Sequence, residues 1–384
     1  MGEEGKLGIV LTGGGARAAY QVGFLRCLAR KMPALTVPVI TGVSAGAINA
    51  VFLAAHRGGL PAAAEKLTRL WSGLSVDKVF HIHSWFLART ALHWGLGLLS
   101  GGHGDPQLRG LLDTTPLRKL LEAELEDGRG RIPGIAENLA AGRLESLAVS
   151  TLKYATGQTV TWVQGREIES WVRPHRLGVR GEITAEHVMA SSALPVVFPA
   201  QKLGDGWYGD GGVRSLTPLA PAIHLGANRI LAISTRYGRT LAEASDPAVA
   251  GYPPPAQILG TMLNAVFLDS LDHDALHLER INMLLAGERR GHLRPLELLV
   301  LRPSQDIGRL AAAYEERLPG AFRFVTRGLG TRRTASPDFL SLLMFQPEYL
   351  ERLMEIGEAD AEARFDEIER LLNGNGPGGG HDHG

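Results

Sequence analysis

The stretches 7-LGIVLTGGGARAAYQVG-23 and 41-TGVSAGAINA-50 decide the fold, because each joins an apolar run to a helical segment through glycine. The two apolar runs, residues 7–11 and 37–43, are short and almost continuous, which is typical of buried strands. The segments that follow them carry apolar side chains near helical spacing. Strand, helix, strand and helix in this order predict a parallel sheet with helical crossovers.

The rest of the chain shows similar patterns. Residues 144–165 predict two strands joined at 155–157, because two runs rich in apolar and β-branched residues flank an Ala-Thr-Gly turn. Residues 184–194 predict a short helix that Thr184 caps and that ends before Pro195. The other elements that we predict are strands at 229–235 and 296–301, a glycine-rich loop at 204–213, a loop at 240–258 and helices over 348–372.

Element order also predicts how the chain is divided. Residues 1–240 hold the alternating strands and helices of an α/β catalytic domain. Beyond them the pattern turns mostly helical, with one strand at 296–301, so we expect residues 241–372 to form an extension packed on the core. Residues 373–384, NGNGPGGGHDHG, predict a disordered tail.

Composition narrows the class of protein. Apolar residues make up 45% of the 384 residues and charged residues 21%, which predicts a sizeable core. Lys+Arg and Asp+Glu each count 40, so charge gives no reason to expect a nucleic-acid partner. Cys27 is the only cysteine, so no internal disulfide can form. We see no signal peptide and no apolar window long enough for a transmembrane segment, and we therefore expect a cytoplasmic protein.

Ser44 is the candidate nucleophile. Gly42 to Gly46 have the G-x-S-x-G form at a predicted strand-to-helix turn. Such a turn is sharp, so the residues beside the serine must be small, and the hydroxyl is held clear of the backbone. The N-terminus of the following helix favours negative charge at the same spot. Many G-x-S-x-G strings are ordinary turns, but the apolar strand before Ser44 and the alanine-rich helix after it favour catalysis.

A serine hydroxyl needs a base, and Asp210 is the candidate. No histidine follows a strong strand in the way that a triad histidine does, and Ser44 comes after only one earlier strand, so an α/β-hydrolase triad is disfavoured. Asp210 lies in 208-YGDGGV-213. The usual pKa of an aspartate, about 4, is low for a base, and a partly desolvated site would raise it. Taken alone, an Asp-Gly-Gly string favours a turn.

Three functions compete for Gly13-Gly14-Gly15. Residues 13–18 fit the dinucleotide fingerprint G-x-G-x-x-A, yet no Asp or Glu occurs over residues 19–64, where the ribose-binding acid belongs. A P-loop is excluded because no Gly-Lys-Ser/Thr follows. Backbone amides opening a helix, with Arg17 adding positive field, would also suit the oxyanion of acyl transfer. Parallel strands would bring this loop and Ser44 to one sheet edge.

The motifs GGGARAAYQVG, GVSAGA, SSALPVVFP and DGGV, in this order, resemble those of patatin-like phospholipases over residues 7–235. The resemblance implies a three-layer α/β/α fold with a mainly parallel central sheet. It also implies a dyad in which Ser44 is the nucleophile and Asp210 the base, with 191-SSALPVVFPA-200 lining the site. The supporting residues that it implies are Gly13, Gly14, Gly15 and Ala16 for the oxyanion hole, and Arg17, Gly42, Gly46, Gly211 and Gly212 around the motifs.

The activity implied by the resemblance is calcium-independent release of fatty acid from phospholipids or other acyl-ester lipids, of the phospholipase A or lysophospholipase type. No metal or organic cofactor is implied, and the sequence has no EF-hand loop and no zinc-ligand spacing. Three further functions stay open. They are an acyltransferase on the same dyad, a lipid-binding protein without turnover and, less favoured, a dinucleotide-binding oxidoreductase.

Two further stretches suggest contact with lipid. Residues 85–102 combine aromatic side chains and leucines with few charges, which suits a lid or a membrane-docking surface as well as it suits a buried helix. The arginines of 323–333 suit anionic headgroups, although a solvated loop is the default interpretation. We therefore expect peripheral membrane contact at most.

Overall fold

A mixed β-sheet forms the middle of the molecule. The computed structural model describes residues 5–81, 110–166, 170–246, 249, 251–267, 269–285, 290–291, 293–334 and 337–374. Within these ranges the strands are β1 (Leu7–Leu11), β2 (Val39–Val43), β3 (Ser146–Lys153), β4 (Gln158–Gly165), β5 (Val172–Arg173), β6 (Arg176–Arg180), β7 (Gln201–Leu203), β8 (Gly206–Asp210), β9 (Arg229–Ile233) and β10 (Glu297–Leu301).

Helices surround the sheet. Those in the described ranges are α1 (Ala19–Lys31), α2 (Ala45–Ala55), α3 (Gly59–Ser72), α4 (Val76–Val79), α5 (Thr115–Leu125), α6 (Pro133–Ala140), α7 (Ala185–Ser191), α8 (Ala220–His224), α9 (Leu241–Ser245), α10 (Pro255–Phe267), α11 (Ser270–Leu285), α12 (Ile307–Ala312), α13 (Gly320–Gly328), α14 (Asp338–Leu342), α15 (Pro347–Ala363) and α16 (Phe365–Leu372). Short 3₁₀ turns lie at Gly15–Ala18, Gly211–Arg214, Glu315–Arg317 and Thr331–Arg333.

The central strands are parallel and run in the order β10-β9-β1-β2-β3. β4 pairs antiparallel with β3, and β6 and β5 extend that side of the sheet. β8 pairs antiparallel with the end of β3, so that Asp210 lies opposite Thr151. Because β1 and β2 are parallel, with Leu11 opposite Gly42, their carboxyl ends meet at one edge as the sequence predicts.

The sheet separates two hydrophobic cores. Side chains alternate between the faces of a strand, so Ile9 of β1 lies in the larger core with α1, α2 and α3. Val10 lies in the smaller core, together with residues of α8 and α11. Helices thus cover both faces of a mainly parallel sheet. The predicted three-layer α/β/α fold is confirmed.

The C-terminal part of the chain is joined closely to the rest. Residues 241–372 supply β10 to the central sheet and α15 to the larger core. α15 lies directly against α1, where Gly23 faces the Met354 carbonyl and Gly357 faces the Tyr20 carbonyl. Two backbones can approach this closely only where no Cβ intervenes. The division of the chain at residues 240 and 241 stays a prediction.

Two predicted loops contain regular structure. Half of the glycine-rich stretch 204–213 is β8, because residues 206–210 pair with β3 and with β7. Within β8, Trp207 is exposed and Tyr208 is buried, which is the alternation of a strand. The stretch 240–258 contains the short helix α9, which Thr240 and Glu243 cap reciprocally.

Gly23→Ala tests the close contact between α1 and α15. The added methyl would overlap the Met354 carbonyl oxygen, so we expect the free energy of unfolding to fall by roughly 1–3 kcal/mol. Gly328→Ala is the matched control, since a Cβ there meets open space and alanine favours a helix by up to about 1 kcal/mol. Urea unfolding measures both. Equal stabilities for the two variants would contradict the packing described.

Candidate active site

Ser44 lies between β2 and α2 in a backbone conformation that residues with a side chain rarely adopt. Its φ is 56° and its ψ is −134°. A non-glycine residue held in such a region costs on the order of 1–3 kcal/mol and persists only where its surroundings enforce it. A strained strand-to-helix turn of this kind is the geometry that a nucleophile elbow uses to hold a hydroxyl clear of the backbone.

The glycines on either side of Ser44 are needed for close backbone contact. A Cβ on Gly46 would overlap the carbonyl oxygens of Leu11 and Thr12. A Cβ on Gly42 would lie 2.6 Å from the Gly46 carbonyl oxygen. The start of α2 therefore rests directly on the end of β1, which fixes Ser44 beside the glycine loop that follows β1.

Two serines at the end of α7 hold the Ser44 backbone. The Ser44 amide donates a hydrogen bond to Ser191 Oγ at 2.9 Å, and Ser191 Oγ donates to the Ser150 carbonyl at 2.7 Å. Ser192 Oγ donates to the Ser44 carbonyl at 3.1 Å. Both polar groups of the strained residue are thus satisfied. The resemblance predicts that 191–200 lines the site, but it does not reveal that these serines act on the Ser44 backbone.

Asp210 is fully buried at the end of β8. Its Oδ1 accepts a hydrogen bond from the Gly212 amide at 2.8 Å, and its Oδ2 has no hydrogen-bond partner among the described residues. The Ser44 hydroxyl lies near enough to the carboxylate to favour its charged form, without the geometry of a full hydrogen bond. The two candidate dyad residues, 166 positions apart, are therefore brought together.

Burial raises the pKa of Asp210 to about 7. Loss of hydration penalises the charged carboxylate, and the Ser44 hydroxyl and the Gly212 amide offset only part of that penalty. A carboxyl group with this pKa is partly ionised at neutral pH and still holds a proton strongly. Both properties suit a general base.

The turn that follows Asp210 is pressed between two elements. A Cβ on Gly211 would overlap the Ser150 carbonyl oxygen of β3. A Cβ on Gly212 would lie 2.5 Å from the Phe267 ring of α10. Gly211 and Gly212 are therefore glycines because backbone and ring approach them closely, and this crowding helps to bury Asp210.

The glycine loop lies against Ser44. A Cβ on Gly13 would lie 2.9 Å from Ser44 Cβ. Gly14 and Gly15 have φ values of 155° and 54°, in the region that favours glycine. Gly14 packs against Thr235, whose hydroxyl donates to the Gly13 carbonyl at 2.5 Å and so holds the loop to the end of β9.

The backbone amides of Gly14, Gly15 and Ala16 donate to no acceptor in the part of the chain that the structure describes. The next amide, that of Arg17, donates to the Gly14 carbonyl at 3.1 Å and closes the first helical turn. Free amides at the start of a helix are suited to an anion. Gly14 and Gly15 line the same cavity as Ser44, so such an anion would lie beside the hydroxyl.

A buried chain of amide side chains supports the glycine loop. Gln21 of α1 donates to the Thr12 carbonyl at 2.8 Å. Asn49 of α2 donates to Gln21 at 2.9 Å and accepts from the Trp71 indole of α3 at 2.8 Å. Three helices are thereby tied to the residue that precedes the glycines. Buried networks whose members are satisfied are rigid, which keeps the loop in place.

Arg17 does not present a free charge to the site. Its side chain is buried, with Nε donating to Ser341 Oγ at 2.7 Å and Nη2 donating to the Asp338 carboxylate at 2.6 Å. Asp338 therefore offsets the positive field that we expected at the oxyanion position. Arg17 instead ties the glycine loop to α14, where a Cβ on Gly15 would overlap the Leu342 carbonyl oxygen.

An apolar cavity of about 750 Å³ lies at Ser44. Ligand sites are usually concave and mostly apolar. α3, α5 and the C-terminal part of the chain supply about half of the residues that line it. Besides the glycine loop and Ser44, the lining includes Ala45, Ile48, Leu70, Trp71, Leu74, Val79, Leu117, Leu120, Leu121, Ser192, Leu194, Phe198, Phe267, Leu342, Leu343 and Phe345.

The C-terminal part of the chain closes this cavity. Phe267 of α10, Leu342 and Leu343 at the end of α14, and Phe345 all line it. The sequence alone assigns no role to this part, because its apolar residues follow ordinary helical spacing. Contact with residues more than 200 positions away is what gives these side chains a place in the site.

Other predicted features lie outside the site or outside the described ranges. Residues 85–102, where we predict a lid or docking surface, and most of the predicted tail are not among the described residues. Of the arginines of 323–333, Arg323, Arg327 and Arg332 all contact Glu316. Their charge is therefore partly offset.

Metal and membrane features can be assessed for the described ranges only. There, no group of three or more His, Cys, Asp or Glu side chains is arranged to hold a metal ion. Over the same residues, no helix combines the length and the apolar character that crossing a membrane requires.

The family model of patatin-like phospholipases matches residues 9–223. The chain belongs to the patatin-like phospholipase family. The resemblance that the motifs predict is thereby confirmed, and lipid hydrolysis is the function that membership supports. The matched range contains the glycine loop, Ser44 and Asp210, whereas the cavity residues from Phe267 onward lie beyond it.

Solved structures include distant likenesses of this patatin-like chain. Human GIVD cytosolic phospholipase A2, in complex with methyl gamma-linolenyl fluorophosphonate, is 16% identical with a TM-score of 0.44, covering 96% of this chain and 58% of that one. VipD from Legionella pneumophila is 14% identical with a TM-score of 0.35, covering 97% and 67%. The chain thus spans little more than half of the phospholipase A2 structure. Among curated proteins, no sequence matches it.

Asp210→Asn tests the burial of the carboxylate without any assay of activity. The group titrates near 3.8 when unperturbed and at about 7 in the folded protein, so the folded state binds more protons between these values. The free energy of unfolding therefore falls as pH rises through this window. We expect the fall between pH 5 and pH 8 to be smaller in Asp210→Asn by roughly 2–3 kcal/mol.

Urea unfolding at the two pH values measures this difference. Asp205→Asn, which changes an exposed carboxylate in the turn before β8, should keep the parent's pH dependence. An unchanged pH dependence in Asp210→Asn would mean that the carboxyl group is not desolvated in solution.

Proposed function

We propose that this patatin-like chain is a serine lipid acyl hydrolase of the phospholipase A or lysophospholipase type, with Ser44 as nucleophile and Asp210 as base. One juxtaposition carries the proposal. A hydroxyl on a strained elbow lies near a buried carboxylate that has one unpartnered oxygen, at the wall of an apolar cavity. Free amides of the glycine loop line the same cavity. Nucleophile, base, anion site and acyl pocket are the four parts that ester hydrolysis needs.

In the first half of the reaction, the Asp210 carboxylate takes the proton of Ser44 Oγ while Oγ attacks the ester carbonyl carbon. The carbonyl oxygen becomes an anion and accepts hydrogen bonds from the amides of Gly14, Gly15 and Ala16. Gly13 holds the loop against Ser44. The tetrahedral intermediate then collapses, the C–O bond to the alcohol breaks, and Asp210 returns the proton to the leaving oxygen.

In the second half, water attacks the acyl-Ser44 ester and gives a proton to Asp210. Collapse of the second intermediate releases the fatty acid, and the proton returns to Ser44 Oγ. Transfer to an alcohol in place of water would make the chain an acyltransferase on the same dyad. Product analysis in the presence of glycerol or a lysolipid separates the two, because only transfer yields a new ester.

Two other functions receive less support. One is a dinucleotide-binding oxidoreductase, and the other is a lipid-binding protein without turnover. The walls of the cavity are almost entirely apolar, which suits an acyl chain and offers little to the charged phosphates of a dinucleotide. A lipid-binding protein without turnover would need no buried carboxylate beside Ser44. Burying such a group without a full set of hydrogen bonds costs stability, and catalysis is a reason to keep it.

We further propose that α10 contacts the lipid surface from which the substrate enters. α10 carries no charged residue, and the exposed fractions of Ile258, Leu259, Met262 and Val266 are 42%, 37%, 59% and 37%. These positions share one side of the helix. An uncharged and exposed apolar helix face is typical of a docking surface. Phe267, the last residue of α10, lines the cavity, so the face leads to the site.

Ser44→Ala tests the proposed function. Loss of the nucleophile should lower kcat/KM for a p-nitrophenyl acyl ester by at least about 10³-fold, and Asp210→Asn should come close to it. Ser245→Ala, a change of the same kind on the exposed α9, should leave the rate unchanged. A fluorophosphonate should label the parent at Ser44, as read by mass spectrometry.

The pH dependence of the parent gives a second readout of the same pair. Only ionised Asp210 can accept the Ser44 proton, so kcat/KM should rise with pH about a midpoint near 7. Substantial activity in folded Asp210→Asn would remove Asp210 as the base. Labelling of another serine would refute Ser44 as the nucleophile.

Met262→Glu tests the docking face. A charge at the centre of the apolar side of α10 should weaken binding to phosphatidylcholine vesicles by roughly tenfold, since one buried Met contributes about 1.5–3 kcal/mol. Hydrolysis of a soluble short-chain ester should be unaffected. Met283→Glu is the matched control, because Met283 is 72% exposed on α11. Equal binding by both variants, measured by vesicle sedimentation, would contradict docking through α10.

A further inference from the structure

A second cavity, with a lining of both polar and apolar groups, lies on the other face of the sheet. Ser150 of β3 lines it, whereas Val149, the preceding residue, points into the larger core on the Ser44 side. We call this second cavity the arginine groove. The sheet separates it from the apolar cavity at Ser44, which we call the acyl cavity. The residues that line the groove are Ser150, Thr159, Thr161, Trp171, Arg173, Arg176, Arg214, Ser215, Leu216, Thr217, Ala220, Pro221 and His224.

Three guanidinium groups converge on the arginine groove. Arg173 ends β5 and Arg176 begins β6, and the two residues are direct neighbours across the antiparallel pair. Like charges at such positions repel each other and destabilise the pairing. Arg214 approaches the same hairpin, with Nη2 lying 3.4 Å from His175 Nδ1 and Nη1 donating to the Gly157 carbonyl at 2.8 Å.

No described carboxylate forms an ion pair with these three arginines. Arg176 donates to the Thr217 hydroxyl, and Arg173 has no described hydrogen-bond partner. Asp274 is half-buried nearby, but its carboxylate accepts from the Leu219 amide at 2.9 Å and is not within ion-pair distance of Arg176. Elsewhere exposed arginines form ion pairs with carboxylates, as Arg30 does with two glutamates.

The walls of the groove complement the charge. His224 stacks on Trp171 at a centroid distance of 5.0 Å, which makes one flat wall. Burial lowers the pKa of His224, and Arg173 and Arg176 both lower it further, so their positive field reaches the groove. The buried hydroxyl groups of Ser150, Thr159 and Thr161 also line the groove, where Thr159 donates to the Arg214 carbonyl and Ser150 and Thr161 share a hydrogen bond. Guanidinium groups form strong, often bidentate hydrogen bonds with phosphate oxygens.

We propose that the arginine groove binds a phosphate group, carried either by a soluble organic phosphate or by a lipid headgroup, between Arg173, Arg176 and Arg214. The bound phosphate would relieve the repulsion between the two facing arginines of the hairpin. The groove lies across the sheet from Ser44, so this binding does not depend on the proposed hydrolysis. Its experiment can therefore succeed or fail independently of the catalytic assignment.

The test uses the full chain with Ser44→Ala, so that no lipid is turned over. Inorganic phosphate and glycerol 3-phosphate are titrated by calorimetry. We expect saturable binding that weakens as salt is raised. Arg173→Gln should reduce the affinity by about tenfold or more, and it should fold, since Arg173 makes no described hydrogen bond. Arg180→Gln, which removes the same charge from an exposed position on β6, should bind like the parent.

Vesicles identify the source of the phosphate. Sedimentation with phosphatidylcholine vesicles, with and without phosphatidic acid, measures the gain in binding that the anionic headgroup brings. If Arg173→Gln abolishes this gain and Arg180→Gln preserves it, the groove binds a lipid headgroup. If only the binding of glycerol 3-phosphate depends on Arg173, the groove binds a soluble ligand. The proposal is overturned if neither probe binds in an Arg173-dependent way, or if both variants lose binding equally.

Discussion

The strained backbone of Ser44 is the constraint on which the rest of the site depends. Holding φ at 56° in a residue with a side chain costs on the order of 1–3 kcal/mol, and the conformational preference of the local sequence does not offset this cost. Contacts with the surrounding elements offset it. The start of α2 rests on the end of β1 because Gly46 has no Cβ, and Ser191 and Ser192 satisfy the Ser44 amide and carbonyl. The turn is therefore enforced from several directions at once.

The same crowding explains the state of Asp210. The Ser150 carbonyl of β3 accepts the hydrogen bond of Ser191, which clamps Ser44, and it also lies against Gly211, directly after Asp210. The Ser150 carbonyl oxygen thus contacts both Ser191, which holds Ser44, and Gly211, which follows Asp210. Packing this close buries the carboxylate completely, and desolvation raises its pKa to about 7. The geometry that positions the two groups is also what adjusts their chemistry.

The sequence predicts the parts of this arrangement that are encoded locally. Strand, glycine turn and helix follow from residues close together in the chain, and parallel pairing then brings the loop and Ser44 to one edge. Contacts between distant residues were not predictable. The Ser191 clamp joins residues 147 positions apart, and Arg17 meets Asp338 across 321 positions. β8 was missed because pairing with β3, rather than its glycine-rich composition, decides its conformation.

The C-terminal part of the chain completes the site, although the family match ends at residue 223. Arg17 and Gly15 hold the glycine loop against α14, so the amides that would bind the oxyanion depend on residues outside the matched range. Phe267 and Phe345 close the acyl cavity from the same side. On the proposed function, the bond-breaking groups lie within the matched range, whereas part of the wall that an acyl chain would contact lies beyond it. Selection of the acyl chain and cleavage of its ester are thus assigned to different parts of one folded unit.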